Sequence, residues 1–249
     1  MRLKHVYPLM LIIAFVITVT QGDVIFRGMM RDIQYTPPVP KFRYVSPYVE
    51  LSPYDKHFRE AADSIGWDWK LFAAIGFTES RFDSTATSGV GACGVMQVMP
   101  GTLRGMGIPD SLHMETRTNI MAAKELLGYL DHLYRRITNF DERLNFILAS
   151  YNAGAGHIGD AMNLAQKYGR SRYVWNNNVD SFLVLKGEPE YYTDSVCKNG
   201  SFSDWKQTLS FVKKVKRNWR RFERAQLRYN DSINTLLACD STIRIGFKR

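Results

Sequence analysis

The sequence predicts an all-α fold. Apolar residues recur at helical spacing in several segments from residue 54 onward, and no convincing alternating strand pattern precedes residue 171. The chain has 249 residues, of which 45% are hydrophobic and 23% are charged, close to the composition of an ordinary globular protein. These values exclude a wholly disordered or collagen-like chain and allow one substantial hydrophobic core.

The first 22 residues have the pattern of a secretory leader. Arg2 and Lys4 precede a mostly apolar run from Leu9 to Val19, which is shorter than the roughly 20 residues that a membrane-spanning helix needs. Residues 1–22 are therefore predicted to be a signal peptide, with an uncleaved N-terminal anchor as the alternative. Both interpretations imply export to the periplasm or the cell envelope, where disulfides can form.

Residues 23–53 are predicted to be an extended tether, because they contain five prolines and show little helical periodicity. The helical pattern then begins, and residues 54–228 are predicted to form the folded domain. Four apolar groups at helical spacing mark its helices: Phe58, Ala61, Ala62 and Ile65; Leu71, Ala74 and Ile75; Leu126, Leu127, Leu130 and Leu133; Leu144, Ile147, Leu148 and Tyr151. The segment 171–200 is rich in Asn, Tyr and Gly and is predicted to form loops that cover the helices.

A basic helix is predicted to close this domain. Eight cationic residues lie between Lys213 and Arg228, against Glu223 as the one acid. Four apolar residues share one helical face and are expected to pack on the core: Phe211, Val215, Trp219 and Phe222. Residues 229–249 are predicted to be a C-terminal tail.

The charge balance favours an anionic partner. The net charge is +9, which is typical of proteins that bind polyanions. The basic segment Lys213–Arg228 is expected either to be a solvated face or to contact anionic lipid or cell-wall polymer. Export argues against nucleic acid as the partner.

Nucleotide and metal sites are not expected. Two G-x-G-x-x-G strings, at residues 89–94 and 154–159, lack the preceding strand that phosphate binding requires. The five histidines are dispersed, and neither H-E-x-x-H nor C-x-x-C occurs. The sequence therefore predicts no metal and no cofactor.

Glu79 is the candidate catalytic residue. It ends a helical segment whose other residues are mostly apolar, from Leu71 to Phe77. Such surroundings are expected to desolvate the carboxyl group in part and to raise its pKa, so that it can donate a proton at neutral pH. The alternative is a solvated glutamate at the end of a helix.

Residues suited to binding a sugar follow Glu79 in the chain. The glycine-rich segment 88–102 begins nine residues later, and glycine lets the backbone approach a ligand closely. Within it, Gln97 offers an amide that suits hydroxyl and acetamide groups, and Met99 offers adaptable apolar surface. Tyr151 and Asn152 add a phenol and an amide at the end of another helix.

In this order the motifs resemble the lytic transglycosylases of the soluble-lytic-transglycosylase, goose-lysozyme-like type. The family pattern is E-S-x-F, then S-x-x-G-A-x-G-L-M-Q-x-M-P-x-T, then A-Y-N-A-G, then E-T-x-x-Y-V. The matching stretches are residues 79–82, 88–102, 150–154 and 207–212, with four departures: Val95 for Leu, Ser150 for Ala, Gln207 for Glu and Phe211 for Tyr. The resemblance spans about 54–225 and is closest to the membrane-bound F subgroup, without that subgroup's solute-binding domain.

This resemblance implies a lysozyme-like helical fold and cleavage of peptidoglycan strands without water. It implies that Glu79 acts first as acid and then as base, and that Asp83 is not a second catalytic carboxylate but a local cap or a surface contact. It also implies a set of substrate-binding residues: Ser88, Gln97, Met99, Tyr151, Asn152 and Gln207. Gln207 lacks the charge of the family's glutamate, so substrate positioning near it is expected to differ.

Two alternatives stay open at this point: a hydrolytic muramidase, and a non-catalytic protein that binds peptidoglycan as a scaffold. We also expect a Cys93–Cys197 disulfide that pins the segment 171–200 over the groove, because export permits disulfides and both cysteines are predicted to lie near one site.

Overall fold

The computed structural model describes residues 42–247, and this part of the chain is mostly helical. Its nine α-helices are α1 (Asp55–Asp63), α2 (Trp69–Ser80), α3 (Pro100–Gly105), α4 (Thr116–Leu133), α5 (Phe140–Ala153), α6 (Ala155–Lys167), α7 (Asp180–Leu185), α8 (Pro189–Tyr192) and α9 (Trp205–Cys239). A 3₁₀ turn (Asp110–Leu112) precedes α4, and a π-helical turn (Trp175–Val179) leads into α7. The predicted all-α class is confirmed.

Helix α2 lies at the centre of the fold because it is apolar on all sides. Seven of its first eight residues are buried, as expected for a helix without a polar face. Asp68 caps its start by accepting a hydrogen bond from the Lys70 N–H at 3.0 Å, and its second carboxylate oxygen accepts one from Trp219 Nε1 at 2.8 Å. Packing against α1 and α9 fixes the last turn of α2, which carries Glu79.

Helices α4, α5 and α6 pack side by side in chain order. Most of the predicted apolar stripe of these helices is buried: Leu127, Leu130, Leu144, Ile147 and Leu148. Leu126 and Tyr151 are half-buried, and Leu133 has 43% of its surface exposed at the end of α4. Asn139 caps α5 by accepting a hydrogen bond from the Glu142 N–H at 3.0 Å.

The segment 171–200, predicted to be loops, contains the π-helical turn, α7 and α8. A buried ion pair fastens it, with Lys186 Nζ 3.1 Å from Asp160 Oδ2 of α6. Asp160 also accepts hydrogen bonds from the N–H groups of Lys198 and Asn199, at 3.0 and 2.9 Å. Burial opposes ionisation of this carboxyl, but these hydrogen bonds outweigh it and lower the pKa of Asp160.

Helix α9 closes the domain, as the sequence predicts, and is longer than predicted. Phe211, Val215 and Phe222 are buried where α9 packs against α2 and α5. The helix does not end near Arg228 but continues to Cys239, so the predicted tail begins as helix.

The end of the predicted tether is packed rather than extended. Strand β1 (Arg43–Val45) pairs in parallel with β2 (Ile243–Ile245). Beyond β1, the Val49 N–H donates to Gln226 Oε1 of α9 at 3.1 Å. Residues 42–53 therefore belong to the folded unit, because β2 pairs with residues 43–45 and side chains of α9 bond the backbone of residues 46, 47 and 49.

The predicted leader, residues 1–22, and the first part of the predicted tether, residues 23–41, lie outside the described residues. Among the helices of residues 42–247, none combines the length and the hydrophobicity that crossing a bilayer requires.

Candidate active site

Glu79 lies in the last turn of α2, with its side chain partly exposed. Burial raises the pKa of its carboxyl group from 4.5 to about 8. Within residues 42–247, no hydrogen bond or ion pair to this carboxyl compensates for the loss of water. Glu79 is therefore mostly protonated at neutral pH, as expected from its apolar helix.

Tyr151 is the neighbour that Glu79 affects most clearly. Burial, and next the charge of Glu79, raise the pKa of Tyr151 well above its ordinary value. The Tyr151 hydroxyl donates to Met96 O at 2.7 Å, and its ring stacks on Phe211 of α9 with centroids 6.4 Å apart. A neutral phenol, held by one hydrogen bond and one stacked ring, is thus placed beside the candidate acid.

The chain turns sharply after α2. Arg81 and Phe82 have φ values of 57° and 69°, a left-handed conformation that is unfavourable for residues other than glycine. The Phe82 ring packs against Phe77 and Phe222, with centroids 5.4 and 6.5 Å away, and Ser80 Oγ donates to Val95 O at 2.8 Å. Packing of Phe82 compensates for the strain and fixes the chain next to Glu79.

The segment 88–99, here called the glycine loop, is closed by two of the predicted binding residues. Ser88 Oγ accepts a hydrogen bond from the Ala92 N–H at 2.9 Å. Gln97 Nε2 donates to Ala86 O at 3.0 Å and to Gly94 O at 2.9 Å. Gln97 Oε1 makes no hydrogen bond within residues 42–247, so the acceptor end of this amide remains free for a ligand.

A buried asparagine anchors the glycine loop, and the sequence analysis missed it. Asn119 of α4 accepts a hydrogen bond from the Met96 N–H at 2.9 Å. Its amide donates to Cys93 O at 2.9 Å and to His113 O at 3.1 Å. The signal was present, since Asn119 lies three and four residues before Ala122 and Ala123 and therefore on the same, apolar face of a helix.

Asn152 connects α5 to α9. Its Oδ1 accepts a hydrogen bond from Thr208 Oγ1 at 2.8 Å, and Thr208 is fully buried. The acceptor end of the Asn152 amide is therefore occupied, while its Nδ2 makes no hydrogen bond within the part of the chain that the structure describes.

The remaining two predicted binding residues lie further out. Met99 is 43% exposed and immediately precedes α3. Gln207 is exposed in the first turn of α9, next to the buried Thr208. The contacts described above join Ser88, Gln97, Tyr151 and Asn152 to one framework beside Glu79, but they include neither Met99 nor Gln207.

Asp83 has a local role. Its Oδ1 accepts hydrogen bonds from the Thr85 N–H at 2.8 Å and the Thr85 hydroxyl at 2.7 Å. These hydrogen bonds lower the pKa of Asp83. Asp83 thus caps the turn that follows it, which is one of its two expected roles.

The expected Cys93–Cys197 disulfide is absent, because both residues are free thiols. Cys93 is buried within the glycine loop, where its Sγ lies 3.5 Å from Val98 O. Cys197 instead approaches Tyr191 O at 3.3 Å. The prediction was wrong because the two thiols point into different local environments, and it is the pair of Lys186 with Asp160 that fastens the segment 171–200.

Comparison with known proteins gives one family and several relatives. The family model "Transglycosylase SLT domain" matches residues 56–174. The membrane-bound lytic murein transglycosylase F of Desulfosudis oleivorans is 36% identical over 148 residues, which cover 59% of this chain and 32% of that protein. The protein of the same name from Maricaulis maris is 36% identical over 146 residues, covering 57% and 31%.

The chain thus spans about a third of the length of these curated relatives. Among solved structures, the 70 kDa soluble lytic transglycosylase of Escherichia coli is similar over 70% of this chain and 24% of its own, with 22% identity and a TM-score of 0.45.

Proposed function

We propose that this chain, whose residues 56–174 match the family model "Transglycosylase SLT domain", is a peptidoglycan lytic transglycosylase. The proposed reaction cleaves the β-1,4 bond between N-acetylmuramic acid and N-acetylglucosamine and leaves a 1,6-anhydro end. One observation carries the proposal: Glu79 lies in the last turn of α2, beside Tyr151, with a pKa of about 8.

In the first step Glu79 acts as the general acid. Its carboxyl proton passes to the glycosidic oxygen while the bond from that oxygen to C1 of the muramic sugar breaks. The raised pKa of Glu79 supports this role, because an acid must hold its proton at the working pH. The neutral Tyr151 phenol next to it adds no second negative charge.

In the second step the ionised Glu79 acts as the general base. It removes the proton of the muramic 6-hydroxyl, whose oxygen forms a bond to C1 and closes the anhydro ring. Proton and electron pairs balance, and no water is consumed. Attack within one sugar has the advantage of proximity, so one carboxylate is sufficient where ordinary glycosidases use two.

The environment of Asp83 supports this single-carboxylate mechanism. Its hydrogen bonds to Thr85 favour the ionised form, and its exposure leaves it in water. It is therefore a poor proton donor and lies outside the desolvated surroundings that Glu79 shares with Tyr151.

The proposed substrate-binding residues are Ser88, Gln97, Met99, Tyr151, Asn152 and Gln207. The hydrogen bonds of the framework specify which atoms remain for the sugar. Gln97 can accept through Oε1 and Asn152 can donate through Nδ2, because their other amide ends are already bonded. This pair matches the N–H and C=O of an acetamide group.

The proposed location is the cell envelope, with peptidoglycan strands as the partner. The basic start and apolar run of residues 1–22 support export. The relatives named above are called membrane-bound murein enzymes, which agrees with an envelope location. Whether the leader is cleaved or kept as an anchor decides between a periplasmic and a membrane-attached enzyme.

The test is digestion of purified peptidoglycan sacculi by the full chain, followed by mass spectrometry of the released fragments. We expect anhydro-muramic ends from the wild type and a loss of at least about 100-fold in rate for Glu79→Gln, as is typical when a general acid is removed. Asp83→Asn is the matched control, since it changes a carboxylate four residues away, and it should retain most of the activity.

The alternatives predict other products. A hydrolytic muramidase would release reducing ends that are heavier by one water. A non-catalytic scaffold would bind sacculi without releasing fragments. Sustained release of anhydro fragments by Glu79→Gln would contradict the assignment of Glu79.

A further inference from the structure

Helix α9 presents a long cationic surface, here called the basic face. Its members are Lys206, Lys213, Lys214, Arg217, Arg220, Arg221, Arg224 and Arg228, and all eight are exposed. Their spacing of three, four and seven residues places them on one side of the helix over roughly 33 Å. Within residues 42–247 none of them is paired with a carboxylate, whereas Lys216 on the flank pairs with Asp141 at 2.9 Å.

Unpaired like charges in a row do not stabilise a helix, because neighbouring cations repel one another. The core packing of α9 comes from the opposite side, where Phe211, Val215 and Phe222 are buried. The basic face is therefore not explained by folding, and a bound anion would account for it.

The basic face borders a cavity of about 540 Å³ that lies between α9 and the last turns of α2. Phe77, Thr78 and Arg81 line it from one side, so it opens within two residues of Glu79. From the other side it is lined by residues of α9: Lys214, Arg217, Asn218, Arg221 and Arg224.

The walls of this cavity are held in place. Asn218 Nδ2 donates to Thr78 Oγ1 at 3.0 Å, which ties the two helices together at the floor. The Arg221 guanidinium lies over the Phe77 ring at 4.8 Å from its centroid, a cation–π contact that orients it. A ligand would therefore meet one oriented guanidinium, that of Arg221, together with the exposed cations of Lys214, Arg217 and Arg224.

The cations of the cavity do not act on the candidate acid. Burial accounts for the raised pKa of Glu79, and no neighbouring cation lowers it. Glu79 does not line the cavity, although Thr78 before it and Arg81 after it in the chain do, which is the arrangement expected for a subsite that binds another part of the substrate.

We propose that the basic face and its cavity form a subsite for the free carboxylates of the peptides attached to peptidoglycan strands. This inference rests on the proposed function. Peptide carboxylates match the cations in charge, and arginine binds carboxylates through two parallel hydrogen bonds. The enzyme would then favour glycan strands that still carry their peptides.

A lipid surface fits this helix less well. Amphipathic membrane-binding helices insert large apolar side chains beside their cations. Between residues 205 and 228, Leu227 is the one large apolar side chain that is exposed, at 62%, and a single leucine offers far less apolar surface than the row of side chains that such helices insert. The position of the cavity next to the end of α2 also favours a ligand that belongs to the substrate.

The test compares two double variants, each made in a Glu79→Gln background so that the strands are not cleaved. Lys214→Gln with Arg217→Gln removes two exposed cations of the cavity. Lys56→Gln with Arg136→Gln is the control, because it removes one lysine and one arginine that are exposed elsewhere and make no ion pair within residues 42–247. Both double variants lower the net charge equally.

Each variant is assayed for binding to glycan strands with peptides and to the same strands after an amidase has removed the peptides. We expect the cavity variant to bind peptide-bearing strands about 10-fold more weakly than the control variant, from two ion pairs of modest strength. We expect both variants to bind the stripped strands within about 2-fold of each other.

Equal binding of both variants to peptide-bearing strands would overturn the subsite. The proposal would also fail if the cavity variant lost binding to phosphatidylglycerol vesicles but kept its binding to peptide-bearing strands. That outcome would assign the basic face to lipid. The proposed function fails separately, if wild-type protein releases no anhydro fragments, because binding is measured without cleavage.

Discussion

Glu79 occupies a position where solvation, rather than a charged neighbour, controls protonation. Its pKa of about 8 places the change from acid to base close to neutral pH. A group that must donate a proton and then accept one works best when its pKa is near the working pH. The apolar surroundings of α2 therefore serve the proposed chemistry directly.

The same pKa predicts how the stability of the protein depends on pH. The folded pKa lies above the value of 4.5 for an unfolded glutamate, so the unfolded state loses its proton first as pH rises. Glu79→Gln should therefore match the wild type below pH 4.5 and become more stable than it as pH rises toward 8. At pH 7 the gain should reach up to about 3 kcal/mol. Urea unfolding of both proteins over this pH range measures it.

Asp83→Asn is the control for this measurement, and it should show the opposite sign. The pKa of Asp83 is lowered in the folded state, so its carboxylate stabilises the fold at neutral pH and this contribution is lost as pH falls. A stability difference between Glu79→Gln and the wild type that stays constant with pH would contradict the raised pKa of Glu79.

At the scale of single residues, the sequence predicts the raised pKa of Glu79 better than it predicts which side chains form hydrogen bonds within the protein. The apolar helix before Glu79 indicates a raised pKa, and the structure agrees. The sequence does not reveal that Gln97 and Asn152 each use one end of their amide to hold the protein together. Those hydrogen bonds join elements far apart in the chain, which local patterns cannot specify.

At the scale of the element, the glycine loop depends on one close approach. Gly94 has φ +74°, and a Cβ built on it would lie 2.7 Å from the Asn119 side chain. Asn119 in turn holds the Met96 N–H. The absence of a side chain at Gly94 therefore allows the contact that shapes the loop beside Glu79 and Tyr151.

Gly94→Ala is expected to destabilise the fold by about 2–4 kcal/mol, through the left-handed backbone and the clash with Asn119. Gly91→Ala should lower the free energy of unfolding by only about 1–2 kcal/mol, the cost of the left-handed backbone alone. Its φ is +88°, but nothing lies within 4 Å of the added Cβ. Gly89→Ala, with open space and no positive φ, is the control and should be nearly neutral. Chemical denaturation ranks the three, and equal losses would contradict this account.

At the scale of the whole molecule, the two ends of the described chain are joined. Parallel pairing of β1 with β2 and the hydrogen bond from the Tyr229 hydroxyl to Ser46 O at 3.1 Å attach residues 43–49 to the far part of α9. The predicted tether and tail thus contribute to one folded unit.

The sequence could not predict the pairing of β1 with β2, because each strand is three residues long and pairs with a segment that is distant in the chain. Periodicity identifies helices such as α2, α4 and α5, whose apolar residues recur within one segment. Strands this short are detectable only through the distant chain that they meet, and the prolines of the segment 23–53 favoured an extended interpretation.

If the pairing of β1 with β2 is part of the cooperative fold, the buried residue of β2 must contribute to the free energy of unfolding of the whole protein. Ile243 is 2% exposed, whereas Ile245 on the same strand is 51% exposed. Ile243→Ala should therefore lower the free energy of unfolding by about 2–4 kcal/mol, the range for deleting a buried isoleucine side chain. Ile245→Ala should change it by less than about 0.5 kcal/mol. Both changes are measured by urea unfolding, monitored by tryptophan fluorescence, because Trp69 lies in α2 and Trp219 lies in α9. If Ile243→Ala left this transition unchanged, the strand pair would be a separate attachment that opens without unfolding the helical core.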